Sequence, residues 1–339
     1  MSPRRGEDVM VPPADFRSYY GRPILKRPVW THEIAAYLFT GGLAAGSSLL
    51  AAGGDLTGRP GLRRAGRATA MAALLASTGL LVKDLGRPER FLNMLRVAKP
   101  TSPMSVGSWV LAAYGGAATG AVAAEVARAV DPRGPVLRPL ARVVTVAGRP
   151  AGLAAAALSP ALATYTAVLL ADTAVPSWHE AYPQLPFVFA GSALASGAGV
   201  GLIVAGDREV GPAERLAVVG AGMELLAARS VRHNLGILSE PYTTGRPGRL
   251  LHAGEVLTSL GVAGALLGRR SRVVRGLSGL SLLTAAAVTR FGIFEGGVAS
   301  TEDPRYVVVP QRGRLEGRGQ TTSTVTPSDR GAKSSPTTG

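Results

Sequence analysis

Long apolar stretches follow one another along most of the chain, separated by short segments rich in Arg, Pro, Asp and Gly. A bilayer core about 30 Å thick is crossed by roughly 20 helical residues, and these stretches reach or approach that length. They lack the alternation of polar and apolar residues that is typical of outer-membrane barrel strands. The pattern therefore predicts an all-α integral membrane protein with about eight transmembrane helices. The predicted spans cover residues 34–53, 68–82, 104–124, 150–171, 186–206, 212–228, 253–268 and 276–289.

The segments outside these spans predict a membrane domain with two polar ends. Residues 1–29 form a polar N-terminal extension, and the membrane domain covers residues 30–297. Residues 298–339 form a C-terminal tail, whose Gly, Ser, Thr and Pro content predicts disorder beyond about residue 312.

A faint internal likeness suggests how the spans are grouped. The stretch Phe39–Gly46 in the first span resembles Phe189–Gly197 in the fifth. This likeness suits two four-helix bundles, at about residues 32–173 and 186–295.

Charge and cysteine content narrow the chemistry that the protein can carry. Only 17% of the 339 residues are charged, and the net charge of +15 is spread between apolar stretches instead of forming a patch for nucleic acid. The absence of cysteine excludes disulfides, thiolate zinc sites and iron–sulfur clusters held by this protein in the usual way. Four histidines are a poor supply for a haem or zinc centre, so we expect no metal site.

The distribution of Lys and Arg gives a preference for one orientation in the membrane. The odd-numbered connections between spans carry more Lys and Arg than the even-numbered ones. Because short cytoplasmic loops are enriched in these residues, the bias places both termini outside. The basic N-terminal extension favours the opposite orientation.

The segment Lys83–Trp109 is not typical of ordinary membrane sequence. It closely resembles the connection between helices two and three of the NrfD/polysulfide-reductase family of integral membrane subunits. The resemblance continues through Tyr37–Gly46, Tyr165–Glu180, Pro186–Gly191 and the ending from Arg290 to Arg312.

The resemblance implies an eight-helix subunit that holds no metal or haem and is not catalytic alone. Such subunits exchange electrons between a membrane quinone (menaquinone or ubiquinone) and a ferredoxin-like subunit with four iron–sulfur clusters, which serves a molybdopterin catalytic subunit. The resemblance also implies that the electron exchange can be coupled to proton movement. It further implies a location in the cell (inner) membrane. The lack of cysteine is compatible with this role, because the partner would bring the clusters.

A quinone needs a flat apolar slot, hydrogen-bond partners for its carbonyl oxygens and a route for protons. The family's pocket near the first helix often uses Asn or His, where this sequence offers His32, Glu33 and Tyr37. In the fourth span, Tyr165 and Asp172 project from one helix face about two turns apart. Tyr165 would donate to the quinone and Asp172 would pass protons. The alternatives are a packed aromatic side chain and a carboxylate at a helix end.

The sequence Trp178-His179-Glu180 lies in a connection that contains no Lys or Arg. With the termini outside, this connection shares a face with the start of helix one, where His179 would meet His32 and Glu33. A His and Glu pair there would accept protons from quinol near neutral pH, with Glu180 in the proton relay. The alternative is an interfacial Trp178 anchor with a solvated His179.

Asp84, Arg87 and Trp109 belong to the most specific part of the resemblance. Asp84 and Arg87 can pair and cap the second helix, which is an architectural role. The alternative is that this segment is the docking surface for the cluster-bearing partner.

Further ionisable residues lie in the later spans. Glu224 and Glu255 lie within or near the sixth and seventh spans, and Arg290 ends the eighth. A buried carboxylate that pairs with Arg290 would fix the fold, whereas an unpaired one would belong to a proton path.

Two other functions compete with the quinone-interacting anchor. A secondary transporter with a midplane carboxylate and arginine site would also explain Glu224, Glu255 and Arg290. A purely structural anchor would hold a soluble enzyme at the membrane and conduct nothing.

Overall fold

The computed structural model describes residues 23–85, 87, 89–130, 136–268 and 270–323, except the side chains of residues 92 and 316–323. In this part of the chain the regular structure is helical and no strand is present. The α-helices are α1 (His32–Leu56), α2 (Pro60–Asp84), α3 (Arg90–Asn93), α4 (Pro103–Val130), α5 (Leu137–Ala171), α6 (Pro176–Glu180), α7 (Leu185–Val204), α8 (Gly211–Asn234), α9 (Glu240–Thr243), α10 (Gly245–Leu267), α11 (Arg272–Ser300) and α12 (Arg305–Ser323). A 3-10 turn covers Gly236–Ser239.

Seven of the helices in the described residues are long and apolar enough to cross a membrane, namely α1, α2, α4, α5, α7, α10 and α11. The predicted all-α integral membrane class is therefore confirmed. The predicted sixth span corresponds to α8, which has 24 residues but includes charged ones such as Glu214 and Glu224. This charge explains why the apolar helices number seven where the sequence predicts about eight.

The helices extend beyond the apolar stretches that predicted them. The short stretches at 68–82, 253–268 and 276–289 lie in helices of 25, 23 and 29 residues. A protein in lipid must satisfy its backbone hydrogen bonds within the helix, so the helix continues past charged residues. One prediction is wrong as a result: Arg290 does not end the eighth span but lies inside α11, which continues to Ser300.

The long helices form two groups of four. In the first bundle, α1 packs on α2 and α5, and α4 packs on α5. In the second bundle, α7 packs on α8 and α11, and α10 packs on α11. The bundles meet mainly where α1 and α5 contact α7. The exact limits given above for the domains stay predictions.

Small residues allow the two bundles to approach closely. A Cβ atom at Gly46 of α1 would overlap the carbonyl oxygen of Ala193 in α7, and one at Gly197 would overlap the backbone of Gly46. Close backbone approach of this kind is typical of small residues in membrane helices. The crossing of α1 and α7 therefore depends on Gly at these two positions.

The helices alternate in direction, which defines two faces of the membrane domain. We call the face at which α1 begins the His32 face and the opposite one the Leu56 face. The starts of α1, α4, α7 and α10 and the ends of α2, α5, α8 and α11 lie at the His32 face.

Residues 27–300 form one compact unit, and the segment that contains α12 is not part of it. The structure places residues 305–323 of the predicted tail in that helix. Residues 1–22 of the predicted extension and 324–339 of the tail lie outside the described residues.

Candidate functional site

A groove between α2 and α4 provides an apolar space in the first bundle. Its volume is about 250 Å³, close to the roughly 300 Å³ at which pockets for small organic molecules begin. The segment that contains α3 covers one end of it through Phe91, Met94 and Leu95. The α2 and α4 walls are Met71, Leu74, Leu75, Thr78, Leu81, Ser108, Leu111, Ala112, Gly115 and Thr119. Because Leu75 is 65% exposed, the groove borders the outer surface of the bundle, where lipid would lie.

Hydrogen bonds hold the connection that covers this groove. Ser105 donates from Oγ to the carbonyl oxygen of Val97 at 2.9 Å and accepts from the backbone N–H of Lys99 at 3.0 Å. The indole nitrogen of Trp109 donates to the same Val97 oxygen at 3.5 Å. Trp109 therefore has a structural contact, while its predicted docking role stays a prediction.

Tyr165 lies next to this groove. Its ring packs so tightly on α4 that a Cβ atom at Gly107 would overlap it. Tyr165 also packs against the hydrophobic cluster that contains Leu74 and Leu111, which line the groove. The side chain is half-buried, so it borders the apolar interior without being enclosed by it.

The predicted residues Glu33 and Tyr37 lie one turn apart on α1 and have different surroundings. Tyr37 is buried, about 7.5 Å along the axis from the first residue of α1. Tyr165 precedes the end of α5 by about 9 Å, so the two tyrosines lie at similar depth below the His32 face. The Oε1 atom of Glu33 pairs with the ammonium group of Lys83 on α2 at 2.8 Å.

The predicted meeting of His32, Glu33 and His179 does not appear in the structure. The Nε2 atom of His32 lies 3.5 Å from Oε1 of Glu295 on α11. The Nδ1 atom of His179 lies 2.9 Å from the carbonyl oxygen of Ala171. The three side chains share the His32 face, but each has a different partner.

Trp178 joins α6 to the end of α11 and is not an interfacial anchor at the surface. It is fully buried, and its Nε1 atom donates to the carbonyl oxygen of Ile293 at 2.9 Å. Its ring lies 5.9 Å from that of Trp30 and 5.6 Å from that of Phe294. A Cβ atom at Gly297 would overlap the indole, so this packing requires glycine there.

The other candidates near the His32 face are more exposed. Asp172 is the C-cap residue of α5 and is exposed, and Glu180 ends α6 half-buried. Asp84 accepts a hydrogen bond from the Thr31 hydroxyl at 3.3 Å, whereas Arg87 is exposed. The structure thus gives Asp84 a partner on the segment before α1, in place of the predicted cap with Arg87.

The interior of the second bundle contains a buried acid and a buried base. Glu224 on α8 is 3% exposed and Arg290 on α11 is 1% exposed. The two charges interact, although no ion pair within 4 Å joins them. Arg290 donates to the carbonyl oxygen of Phe189 at 2.7 Å and lies 3.7 Å above the centre of its ring.

A small pocket connects Glu224 to the His32 face. Its polar lining includes Glu224, Thr289 and Tyr242, and its volume is about 40 Å³. Glu255 and Arg232 also line it, and they form an ion pair with each other. Glu255 therefore pairs with Arg232 and not with Arg290.

The sequence did not single out Glu295, Tyr242 or Thr289. Glu295 lies beyond the predicted end of the eighth span, in the apolar stretch Phe291–Val298 that continues α11. An acid within such a stretch is the signal that would have identified it. Tyr242 lies in a connection, where burial raises the pKa of its hydroxyl. Only the fold reveals that burial.

Within the described ranges, no three His, Asp or Glu side chains come together in a way that could hold a metal ion. The absence of metal and haem from this protein stays a prediction.

These features define a multi-pass membrane protein in which an apolar groove and a buried polar pocket occupy different bundles. The chain belongs to the NrfD family, because the family model described as "Polysulphide reductase, NrfD" matches residues 24–221. It is 29% identical over 185 residues to the C subunit of the polysulfide reductase of Wolinella succinogenes. That match covers 52% of this protein and 58% of the relative, so the match spans little more than half of the relative's length.

Proposed function

We propose that the protein is the quinone-interacting membrane anchor of a multi-subunit oxidoreductase complex. Membership of the NrfD family and similarity to a polysulfide reductase subunit support a membrane subunit of a reductase complex. The observation that carries the quinone site is the apolar groove between α2 and α4, which borders the same hydrophobic cluster as Tyr165.

In this proposal the isoprenoid tail of menaquinone or ubiquinone lies along the groove. The headgroup lies at the depth of Tyr165, whose hydroxyl donates to a carbonyl oxygen, with Tyr37 at similar depth on α1. Such a site satisfies the usual pattern of an apolar pocket with few polar groups that fix orientation.

Protons and electrons would both pass at the His32 face. Quinol oxidation releases protons, and His179, Asp172 and Glu180 lie at that face as candidate acceptors. Glu33 shares that face but is already paired with Lys83. Electrons would pass to a ferredoxin-like subunit with four iron–sulfur clusters and on to a molybdopterin subunit. We propose that the partner docks on the connection around Asp84, Arg87 and Trp109. Arg290 is excluded from this surface because it is buried.

The proposed setting is the cell membrane, with both termini outside. The Lys and Arg distribution supports this orientation. The His32 face, and with it the docked subunits, would then lie on the outer side.

Two neighbouring glycines provide a matched test of the quinone site. Gly115 lines the groove, whereas a Cβ atom at Gly116 would meet nothing within 4 Å. We expect Gly115→Leu in the intact complex to prevent labelling of α2 and α4 by a photoreactive azidoquinone and to raise the KM for quinol. Gly116→Leu should leave both unchanged. Equal labelling of the two variants would contradict the proposed groove.

A second pair of variants tests the predicted polar contacts. Tyr165→Phe should lower quinol oxidation by the purified complex, since it removes the donated hydrogen bond. His179→Ala should lower it because it removes a proton acceptor at the His32 face. Full activity in both variants would remove these residues from the site.

Isolation of the protein from its membrane distinguishes the competing functions. Isolation of the tagged protein should yield a copurifying iron–sulfur protein, detectable by its electron paramagnetic resonance signal. Isolation as a single polypeptide that moves a solute across vesicles would favour the transporter with its Glu224 and Arg290 site. Copurification together with unchanged quinol oxidation after removal of this subunit would favour a structural anchor.

A further inference from the structure

The second bundle contains a carboxyl group whose surroundings differ from those of a structural ion pair. The Oε2 atom of Glu224 is buried and has no hydrogen-bond partner. Arg290, the cation that interacts with it, also has an unpartnered nitrogen, Nη1. A buried ion pair is stable only when its remaining polar atoms are satisfied. The geometry is therefore poorly suited to a permanently ionised Glu224.

The pocket next to Glu224 has the size to hold water, and polar groups lie within its mostly apolar lining. Its volume of about 40 Å³ corresponds to roughly three waters at 10–15 Å³ each. The hydroxyl of Tyr242, which also lines it, is buried without a partner. A buried water needs two to four polar partners, and Glu224, Tyr242 and Thr289 provide them.

The partly exposed residues of the pocket lie towards the His32 face. Its outer part is lined by Arg232, whose side chain is 38% exposed, and by Glu255 at 26%. These residues lie near the end of α8 and in the first half of α10, and Tyr242 lies in the connection between those helices. Each of these positions is nearer to the His32 face than to the Leu56 face.

Towards the Leu56 face, the helices below Glu224 are in backbone contact. A Cβ atom at Gly191 of α7 would overlap the backbone N–H of Glu224. One at Gly220 would lie 2.6 Å from the backbone nitrogen of Ala195. Beyond this contact, Ala213, Ala217 and Ala195 belong to a buried apolar cluster. On this side of Glu224, α7 and α8 are therefore in backbone contact, next to a buried apolar cluster.

Arg290 connects Glu224 to the first bundle. A Cβ atom at Gly42 of α1 would lie 3.0 Å from its Nη2 atom, so the guanidinium group lies where α1 meets the second bundle. The other charged or titratable groups near Glu224 are Glu255 on α10, Arg232 on α8 itself and Tyr242 on α9.

We propose that Glu224 binds and releases a proton through this water-filled pocket, in exchange with the His32 face and not with the Leu56 face. This proposal deepens the proton-transfer part of the proposed function. The role of the proton exchange in the complex rests on that proposed function. Its test needs no quinone, so the two can fail separately. When the carboxyl group is protonated, its hydroxyl can donate to pocket water; when it is ionised, Arg290 provides the nearby positive charge.

Infrared difference spectroscopy on the full-length protein in lipid tests this assignment. Titration across neutral pH should reveal the C=O stretch of a protonated carboxyl group in the wild type. Glu224→Gln should lose this band. Glu214→Gln should retain it, because Glu214 is buried on the same helix but does not line the pocket. Retention of the band in Glu224→Gln would overturn the proposal. Thermal unfolding of both variants controls for a folding defect.

Exchange into D₂O tests the pocket as the route. Deuteration shifts the carboxyl band to lower frequency, and we expect this shift to follow mixing promptly in the wild type. Ala228→Phe fills the pocket lining and should abolish the prompt shift while keeping the band. Leu226→Phe is the matched control, because Leu226 is 72% exposed on the same helix and does not line the pocket. An equally prompt shift in Ala228→Phe would overturn the pocket as the route.

Discussion

The two bundles differ in where their charged residues lie, near one face in the first bundle and in the interior in the second. In the first bundle, Glu125 lies near the Leu56 face and accepts from Arg63 at 2.8 Å, Arg67 at 2.9 Å and Arg128 at 3.2 Å. In the second bundle, Glu224 and Arg290 lie in the interior without a direct ion pair. The Glu125 carboxylate is satisfied by three arginines and has a structural role. The buried Glu224 has an unpartnered oxygen and can bind a proton.

The cavities of the two bundles differ in size and in whether ionisable groups line them. The groove of the first bundle is lined almost entirely by apolar side chains and suits an apolar ligand. The pocket of the second bundle is smaller and has ionisable groups in its lining. The matched part of the family model, residues 24–221, ends within α8 just before Glu224. The family match therefore supports inferences about the first bundle more than about this pocket.

The largest effect is expected at Arg290. Arg290→Met removes the guanidinium group that donates to the carbonyl oxygen of Phe189 and provides the positive charge near Glu224 within the described core. Leaving a buried charge without compensation costs about 3–5 kcal/mol. We expect a loss of this size in the free energy of unfolding in detergent. The double variant Arg290→Met/Glu224→Gln should recover part of it, because no charge then remains at these two positions.

Arg229→Met is the control for this measurement, because Arg229 is exposed on α8. It should change stability by less than about 0.5 kcal/mol. If the double variant is as unstable as Arg290→Met alone, the lost hydrogen bond to Phe189 and not the charge of Glu224 explains the effect.

The contact between the bundles is expected to be the next most sensitive feature. Gly46→Ala introduces a Cβ atom against the backbone of α7, and overpacking of this kind costs about 1–3 kcal/mol. We expect a value near the upper end, because the overlapping atom belongs to backbone that cannot rotate away. Gly116→Ala adds the same methyl group in open space and should cost almost nothing. Similar melting temperatures for the two variants would contradict the close crossing of α1 and α7.

The charge network of the first bundle should be less sensitive than the pair in the second. Glu125→Gln keeps the shape of the side chain but removes the charge that three arginines share, with an expected cost of about 1–2 kcal/mol. The network is partly exposed, so its contribution should shrink as salt is raised. The effect of Arg290→Met should not depend on salt. A loss of stability in Glu125→Gln that salt leaves unchanged would contradict this difference between surface and interior.

The sequence predicts the fold well because lipid imposes one strong rule. Each apolar stretch marks a helix, since backbone groups in a bilayer must bond within their own segment. The helix ends are less predictable, because a helix continues into charged residues that reach the interface. Arg290 shows the consequence: the apolar stretch ends beside it, yet α11 continues to Ser300.

The site is only partly predictable, because its pairings depend on contacts between helices. The rarity of charges in spans singles out Glu224 as a candidate, and the structure places it in the interior. No spacing in the sequence indicates that Glu255 pairs with Arg232, or that His32 lies beside Glu295. These partners come from helices or connections that are distant in sequence, so only the packing reveals them.

Removal of one tyrosine hydroxyl group from each bundle tests the difference between the two bundles. In the first bundle, Tyr114 donates to the carbonyl oxygen of Ala44 at 2.7 Å and lies 2.7 Å from the hydroxyl of Ser48. Tyr114→Phe removes both of these buried hydrogen bonds, which should cost about 1–2 kcal/mol. In the second bundle, the buried hydroxyl of Tyr242 has no protein partner. Tyr242→Phe removes no protein hydrogen bond and should therefore change the unfolding free energy less than Tyr114→Phe does. It should also slow deuteration of the Glu224 carboxyl group, because it removes one polar group from the pocket. A cost for Tyr242→Phe equal to that for Tyr114→Phe would mean that the second bundle uses its polar groups for structure, as the first does.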